Sequence, residues 1–122
     1  MKIKKVAISK KLNLFNDYWN PRIVGELNGQ HVKLVKAKGT FDWHKHEEED
    51  EMFLVIKGNF KMDLRDGSIL IKEGEFIIIP KGTEHRPVAD TEVHLMLFES
   101  ATTLNTGDNK MSSLTQNSLK WI

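Results

Sequence analysis

Residues 39–58, "GTFDWHKHEEEDEMFLVIKG", place His44 and His46 directly before five consecutive acidic residues. A charge run of this kind is usually a solvated loop. The alternation of side chains along a strand separates the inward-pointing residues of this run from the others, because side chains two residues apart point to the same face. The two histidines then share one face, and Glu51 points inward with the apolar residues of the strand that follows. A buried carboxylate needs a partner, and a divalent cation is one that can satisfy it.

A second stretch, "GEFIIIPKGTEHRPVA" (74–89), adds a third histidine. Pro80 and Gly82 predict a sharp bend after an apolar strand, and His85 leaves that bend as the next strand begins. Three neutral imidazoles and one carboxylate make a mixed nitrogen and oxygen set that suits Fe, Mn, Ni, Cu or Zn. Such a set leaves one or two coordination positions for water or substrate. The acids 47–50 are expected to form a solvated turn.

The composition limits the class of protein. A chain of 122 residues predicts a single domain over 1–122, with its core at about 22–99, an N-terminal segment 1–21 and a C-terminal tail 100–122. Eighteen basic residues against seventeen acidic ones give a net charge of +1, which favours neither nucleic acid nor an anionic membrane as partner. The absence of cysteine excludes disulfides and thiol nucleophiles. With no apolar signal or membrane-spanning segment, we expect a cytoplasmic protein.

The rest of the chain alternates short apolar segments with turn residues. The predicted strands are 22–27, 31–37, 51–56, 60–65, 68–71, 75–80 and 92–99. Short strands at this spacing, without a long helical period between them, indicate an antiparallel sandwich or small barrel. At the ends, we expect Ser9 to cap a short helical turn, and 112–122 to form a last helical turn or an edge strand. The stretch 102–113 is predicted to be an exposed loop.

Both histidine stretches resemble the two motifs of the cupins, small all-β proteins with a jelly-roll or double-stranded β-helix barrel. The first cupin motif is G-x5-H-x-H-x3,4-E-x6-G, and the second is G-x5-P-x-G-x2-H-x3-N. The chain matches them at Gly58 and Gly74, at Pro80 and Gly82, and at the four polar positions His44, His46, Glu51 and His85. By this resemblance those four residues are the ligands of a divalent transition metal.

The match departs from the pattern at two positions. Gly39 lies one residue closer to His44 than the first motif asks, and Ala89 stands where the second motif has Asn. Neither position supplies a metal ligand in the pattern. The resemblance covers about residues 39 to 89.

The resemblance implies a small-molecule metalloenzyme of unknown substrate, similar to dioxygenases or to sugar or sugar-phosphate isomerases. Short cupins of this kind resemble proteins labelled mannose-6-phosphate isomerase, although the large enzymes of that name contain more than a bare cupin. Two alternatives stay open: a non-catalytic sensor or carrier of a small molecule or metal, and a module in which metal braces the fold. No further catalytic base stands out. A homodimer is expected, and the polar tail is a candidate for crossing to the neighbour.

Five other residues invite a functional interpretation. His31 begins a strand after a turn and is expected to be exposed. His94 lies between apolar neighbours on both sides and is expected to point inside. Trp43 precedes the first ligand, so it should point away from the metal. Lys81 and Arg86 flank His85 and could steer an anionic ligand, although two basic residues beside a turn are ordinary surface.

Overall fold

The computed structural model describes residues 3–122, so the first two residues of the predicted N-terminal segment lie outside it. One helix, α1 (Ile8–Leu12), precedes seven strands and a short eighth. The strands are β1 (Arg22–Leu27), β2 (Gln30–Thr40), β3 (Glu51–Lys57), β4 (Asn59–Leu64), β5 (Gly67–Lys72), β6 (Phe76–Ile79), β7 (His85–Ser100) and β8 (Lys120–Trp121). All seven predicted strands form. Within the described part of the chain, no helix is long and apolar enough to span a membrane.

Two long strands, β2 and β7, join the layers of the barrel. β7 pairs with β2 over most of its length, with β4 near its start and with β3 near its end. The strands β5, β4, β7, β2, β1 and β8 follow one another in the sheet, and β6 pairs with β3. Because β7 pairs with β4 near its start and with β3 near its end, the sheet curls into a jelly roll. The all-β prediction is confirmed, and β7 begins at His85, seven residues before its predicted start, because the segment after the bend pairs with β4.

Apolar side chains form two clusters on opposite faces of the sheet. The larger cluster fills the barrel, where alternate residues of each strand meet, including Val55, Met62 and Leu95. The smaller one lies outside the barrel, where Leu12 and Leu34 bring the N-terminal segment onto the outer face. Both faces of β2 and β7 are therefore covered, which explains their almost continuous apolar runs.

The ends of the chain differ from prediction in two respects. Ala7, with no side-chain hydrogen bond, is the N-cap of α1, and Ser9 lies inside the helix. The helix is held instead by apolar packing of its Leu12 on the outer cluster. Of the two alternatives predicted for 112–122, the edge strand forms: it is β8, parallel to β1. The stretch 102–113 is only partly exposed, because it folds back on its own barrel and buries Thr103 and Thr106.

Candidate metal centre

The barrel brings together the four polar residues singled out by the motifs. His44 and His85 face each other across a β-bridge, with His44 N–H donating to His85 O at 3.1 Å and His85 N–H donating to His44 O at 2.9 Å. Glu51 is the first residue of β3, and its parity with Phe53 and Val55 directs it into the barrel. The bend after β6 therefore brings His85 back to residues some forty positions earlier in the chain.

One possible ligand atom from each of His44, His46, Glu51 and His85 lies within 4.8 Å of all the others. Glu51 Oε1 is 3.2 Å from His46 Nε2 and 3.4 Å from His85 Nε2. None of the four residues is more than 4% exposed. The group is compact enough for one ion to contact all four side chains.

Backbone carbonyls orient two of the imidazoles. His44 Nδ1 lies 2.9 Å from the oxygen of Asp42, and His85 Nδ1 lies 2.9 Å from the oxygen of Thr83. A carbonyl oxygen only accepts, so each Nδ1 must carry the proton and donate it. The Nε2 atoms that face the cluster then hold free lone pairs. Metal-ligating histidines are commonly fixed by this kind of outer hydrogen bond.

Several buried atoms of the cluster have no hydrogen-bond partner. They are His46 Nδ1 and Nε2, Glu51 Oε1 and His85 Nε2. Buried polar atoms without partners are rare and costly in folded proteins. A cation placed among the lone pairs of His46 Nε2, Glu51 Oε1 and His85 Nε2 would satisfy these three at once. The donor set of the described residues therefore fits a divalent transition metal.

The pKa shifts of His44 and Glu51 also suit a cation. Burial, followed by the charge of His85, lowers the pKa of His44 to about 4. Burial alone would raise the pKa of Glu51, but the adjacent imidazoles of His46 and His85 outweigh it and hold that pKa well below its usual range. Near neutral pH the imidazole of His44 is uncharged and Glu51 is a carboxylate, which are the forms that bind metal.

A buried ion pair that the sequence interpretation missed lies beside Glu51. Glu99 of β7 is the cross-strand neighbour of Glu51, and Lys33 Nζ donates to Glu99 Oε1 at 2.9 Å. Burial and the charge of Glu51 raise the pKa of Glu99 well above its usual range. The strand pattern could have revealed the pair. Lys33 lies two residues before Val35 in β2, so both side chains point into the barrel.

A small cavity adjoins the cluster on its apolar side. Its volume is about 40 Å³, it is partly open, and His44 and Glu51 form part of its wall. Trp19 of the N-terminal segment and Asn105 of the C-terminal tail complete the wall. Sequence reasoning missed both, because neither belongs to a motif and each lies far along the chain from the histidines.

The tail is fastened to the loop that carries the first two histidines. Asp108 N–H donates to Lys45 O at 3.0 Å, and Lys45 N–H donates to Asp108 Oδ1 at 2.9 Å. Gly107 lies so close that an added Cβ would overlap the Lys45 oxygen and come within 3.1 Å of His44 Cδ2. The tail thus braces the backbone on the C-terminal side of His44.

Neither of the other two histidines lies where it was expected. His31 is half-buried, because its ring packs edge-on against Trp121 of β8 at 5.5 Å and its Nε2 lies 2.7 Å from Glu26 Oε1. His94 is also half-buried, but on the outer face of β7, with Nε2 2.7 Å from Glu92 Oε2. Its apolar flanks do not distinguish the barrel interior from the covered outer face. His94 therefore does not line the cavity.

The residues flanking the motif histidines form surface contacts. Trp43 points away from the cluster as predicted, with the guanidinium of Arg65 3.9 Å from its ring centre. Arg86 Nη2 donates to Asp63 Oδ2 at 2.8 Å and also lies over Trp43. Lys81 is exposed, and neither it nor Arg86 lines the cavity.

The geometry agrees with comparisons to known proteins. The Cupin_2 model, described as a cupin domain, matches residues 31–100. The uncharacterized protein YdbB of Bacillus subtilis is 38% identical over 64 residues, which cover 52% of this chain and 57% of YdbB. The chain thus spans just over half of the length of that curated relative.

Two crystal structures share the fold over most of the chain. A cupin-2 domain containing protein from Shewanella frigidimarina is 41% identical, with a TM-score of 0.77 over 78% of this chain and 93% of that one. Protein NMB1881 from Neisseria meningitidis is 31% identical, with a TM-score of 0.74 over 80% of this chain and 100% of that one. Together with the fold and the matched domain, these likenesses show that the chain belongs to the cupin family.

Proposed function

We propose that this cupin binds one divalent transition metal through His44, His46, Glu51 and His85 and is a small-molecule metalloenzyme. The observation that carries the proposal is the group of unpartnered lone pairs at His46, Glu51 and His85, buried beside a cavity. The bound metal would act as a Lewis acid or a redox centre toward a molecule in that cavity. Fe, Mn, Ni, Cu and Zn all suit the donor set.

The chain's own side chains hold and shield this centre. The bonds from His44 and His85 to backbone carbonyls keep their free nitrogens aimed inward, and the apolar wall limits water around the ion. Glu51 is the carboxylate among the described residues that line the cavity, and its lowered pKa keeps it in the charged form that binds a metal. Apart from the proposed ligands, the described residues that line the cavity include no acid or base.

That missing base favours a second candidate function, a sensor or carrier that binds a small molecule at the metal without chemistry. Turnover separates the two. The metal-loaded protein is mixed under air with a panel that includes a diketone, a flavonoid and a sugar phosphate, and product is followed by mass spectrometry. Product formation that depends on Glu51 and metal supports the enzyme. If no compound is converted while some raise the melting temperature, the carrier is correct.

Substitution of Gly107 should weaken metal binding as well as the fold. In Gly107→Ala the methyl group meets Lys45 O, so the tail must move and release the backbone beside His44. We expect metal affinity to fall by about tenfold, the low end for loss of an outer support. Gly74→Ala is the control, since Gly74 also has a positive φ, +83°, but open space around it. Both variants should unfold more easily, and equal metal affinity in the two would contradict the bracing role.

We also propose that the protein acts as a homodimer. Phe76 and Ile78 of β6 are 60% and 55% exposed, and β6 pairs with β3 alone among the described strands. An apolar strand with a free edge is suited to pairing with a second copy. The tail, by contrast, folds on its own barrel, which removes the support for a tail exchange. Sedimentation analysis would measure the mass of the protein in solution. The cytoplasmic location stays a prediction.

A further inference from the structure

The wall of the cavity beside the proposed metal is almost entirely hydrocarbon. Apolar side chains from four separate parts of the chain contribute to it, among them Trp19, Pro21, Phe41, Phe53 and Leu95. No Lys or Arg occurs among the described residues that line it. Phosphate and carboxylate groups are usually held by such cations, with Arg providing paired hydrogen bonds. The cavity wall therefore offers no partner for a phosphorylated molecule.

Hydrogen-bonding capacity in the wall is also small. Asn105 supplies the neutral polar side chain of the wall. Both ends of its amide already form hydrogen bonds with backbone groups of the C-terminal tail. Its Nδ2 donates to Leu114 O at 2.9 Å, and its Oδ1 accepts from Gln116 N–H at 2.9 Å. A sugar would have to bury several hydroxyl groups against hydrocarbon without partners, which is unfavourable. The wall is suited to a molecule whose polar atoms all lie at the metal.

Trp19 holds an unusual backbone conformation at this wall. Its φ is +61°, a region that bulky residues rarely adopt. Two hydrogen bonds to β2 hold it there: its N–H donates to Lys36 O at 2.9 Å and its Nε1–H donates to Lys38 O at 3.0 Å. Strained residues of this kind persist when their surroundings fix them, and they cluster at functional sites.

The ring of Trp19 is linked to the metal centre through one other aromatic side chain. The Trp19 and Phe41 ring centres are 4.8 Å apart, and Phe41 lies 5.3 Å from the ring of His44 at a steep angle. A molecule bound at the metal and extending along the wall would therefore meet this aromatic pair. Removal of the indole would open the wall without touching any proposed ligand.

We infer that the cavity selects a small neutral molecule with one metal-binding oxygen group and a short hydrocarbon portion, and that Trp19 is the residue that selects it. This inference rests on the proposed metal site. The cavity volume of about 40 Å³ is far below the roughly 300–1,000 Å³ typical of sites for drug-sized ligands. The buried part of the ligand is thus a few non-hydrogen atoms.

Three hydroxamates that share one metal-binding head test the selection. Acetohydroxamate carries a methyl group, 2-methylpropanohydroxamate carries an isopropyl group, and phosphonoacetohydroxamate carries a phosphonate. Their dissociation constants are measured by calorimetry on the protein loaded with Zn²⁺, whose content is determined in the same samples. Because isopropyl buries two more carbons than methyl, we expect it to bind about tenfold more tightly. The phosphonate should bind more weakly than the methyl compound.

The Trp19→Ala variant should bind Zn²⁺ as the parent does. The ratio of its affinities for the isopropyl and methyl compounds, its preference, should fall close to one. Trp121→Ala, which removes a tryptophan outside the cavity, is the matched control and should keep the tenfold preference. If Trp19→Ala does not fold, Trp19→Leu replaces it and should show a preference between those of the parent and one.

Two results would overturn the inference alone: a parent with full Zn²⁺ content that binds the phosphonate most tightly, or a Trp19 variant that keeps the full preference. A parent that holds no Zn²⁺ would overturn the proposed metal site together with the inference.

Discussion

Glu51→Gln is expected to lower metal affinity by at least about 100-fold, more than the loss of an outer hydrogen bond to a ligand causes. Gln has nearly the same shape, so the change removes a charge and one acceptor without opening a void. Because Glu51 is buried among His46 and His85, the carboxylate is the charge that would offset the ion. Titration of each metal-free variant with a metal-ion indicator as competitor measures the affinity.

Glu48→Gln is the control for this prediction. Glu48 lies in the same acidic run but is exposed, so its variant should bind metal as the parent does. The metal-free Glu51→Gln protein should be as stable as the parent or more stable, because a buried charge has been removed. Equal metal affinity in the two variants would show that Glu51 is not a ligand. Far-ultraviolet circular dichroism checks that both are folded.

Lys33→Met should have the largest effect on stability, lowering the free energy of unfolding by about 3–5 kcal/mol. Lys33 and Glu99 are both almost fully buried, at 2% exposure each, and are joined by a 2.9 Å bond. Without the lysine, Glu99 lies beside the carboxylate of Glu51 with no cation to offset it. Urea unfolding of the metal-free proteins, followed by tryptophan fluorescence, gives the difference.

The double variant Lys33→Met/Glu99→Met separates loss of the pair from loss of packing. If the cost in Lys33→Met comes from the stranded carboxyl group, removal of both partners should restore most of the stability, because apolar replacements of a buried pair are often neutral. A double variant no more stable than the single one would assign the cost to packing instead. A single-variant loss below about 1 kcal/mol would mean that the pair contributes little, as surface pairs do.

Parity, spacing and the cupin resemblance together predicted where the motif residues lie. Glu51 lies on the same face of β3 as the apolar residues Phe53 and Val55, so its inward direction followed from the strand period alone. The approach of His85 to His44 depended on the bend at Pro80 and Gly82 and on the cupin resemblance. Of the predicted solvated turn 47–50, Glu47, Glu48 and Asp50 are exposed, whereas Glu49 is half-buried and accepts a hydrogen bond from Thr102.

The sequence predictions fail where contacts between distant parts of the chain determine the position of a side chain. His94 has apolar neighbours because both faces of β7 are covered, and only the position of the N-terminal segment identifies its side as the outer one. Trp19 and Asn105 reach the cavity from outside the motif region, and no local pattern links them to it. The tail was predicted as an exposed loop from its polar composition, yet hydrogen bonds such as that between Asp108 and Lys45 hold it on the barrel.

The most direct test of the central claim is the metal content of the protein purified without chelator and without a metal-affinity column. Elemental analysis by mass spectrometry should find close to one equivalent of Fe, Mn, Ni, Cu or Zn per chain, and an excess of chelator should remove it. Less than a tenth of an equivalent of each, with only millimolar affinity when those ions are added back, would contradict the assignment of His44, His46, Glu51 and His85 as a metal site.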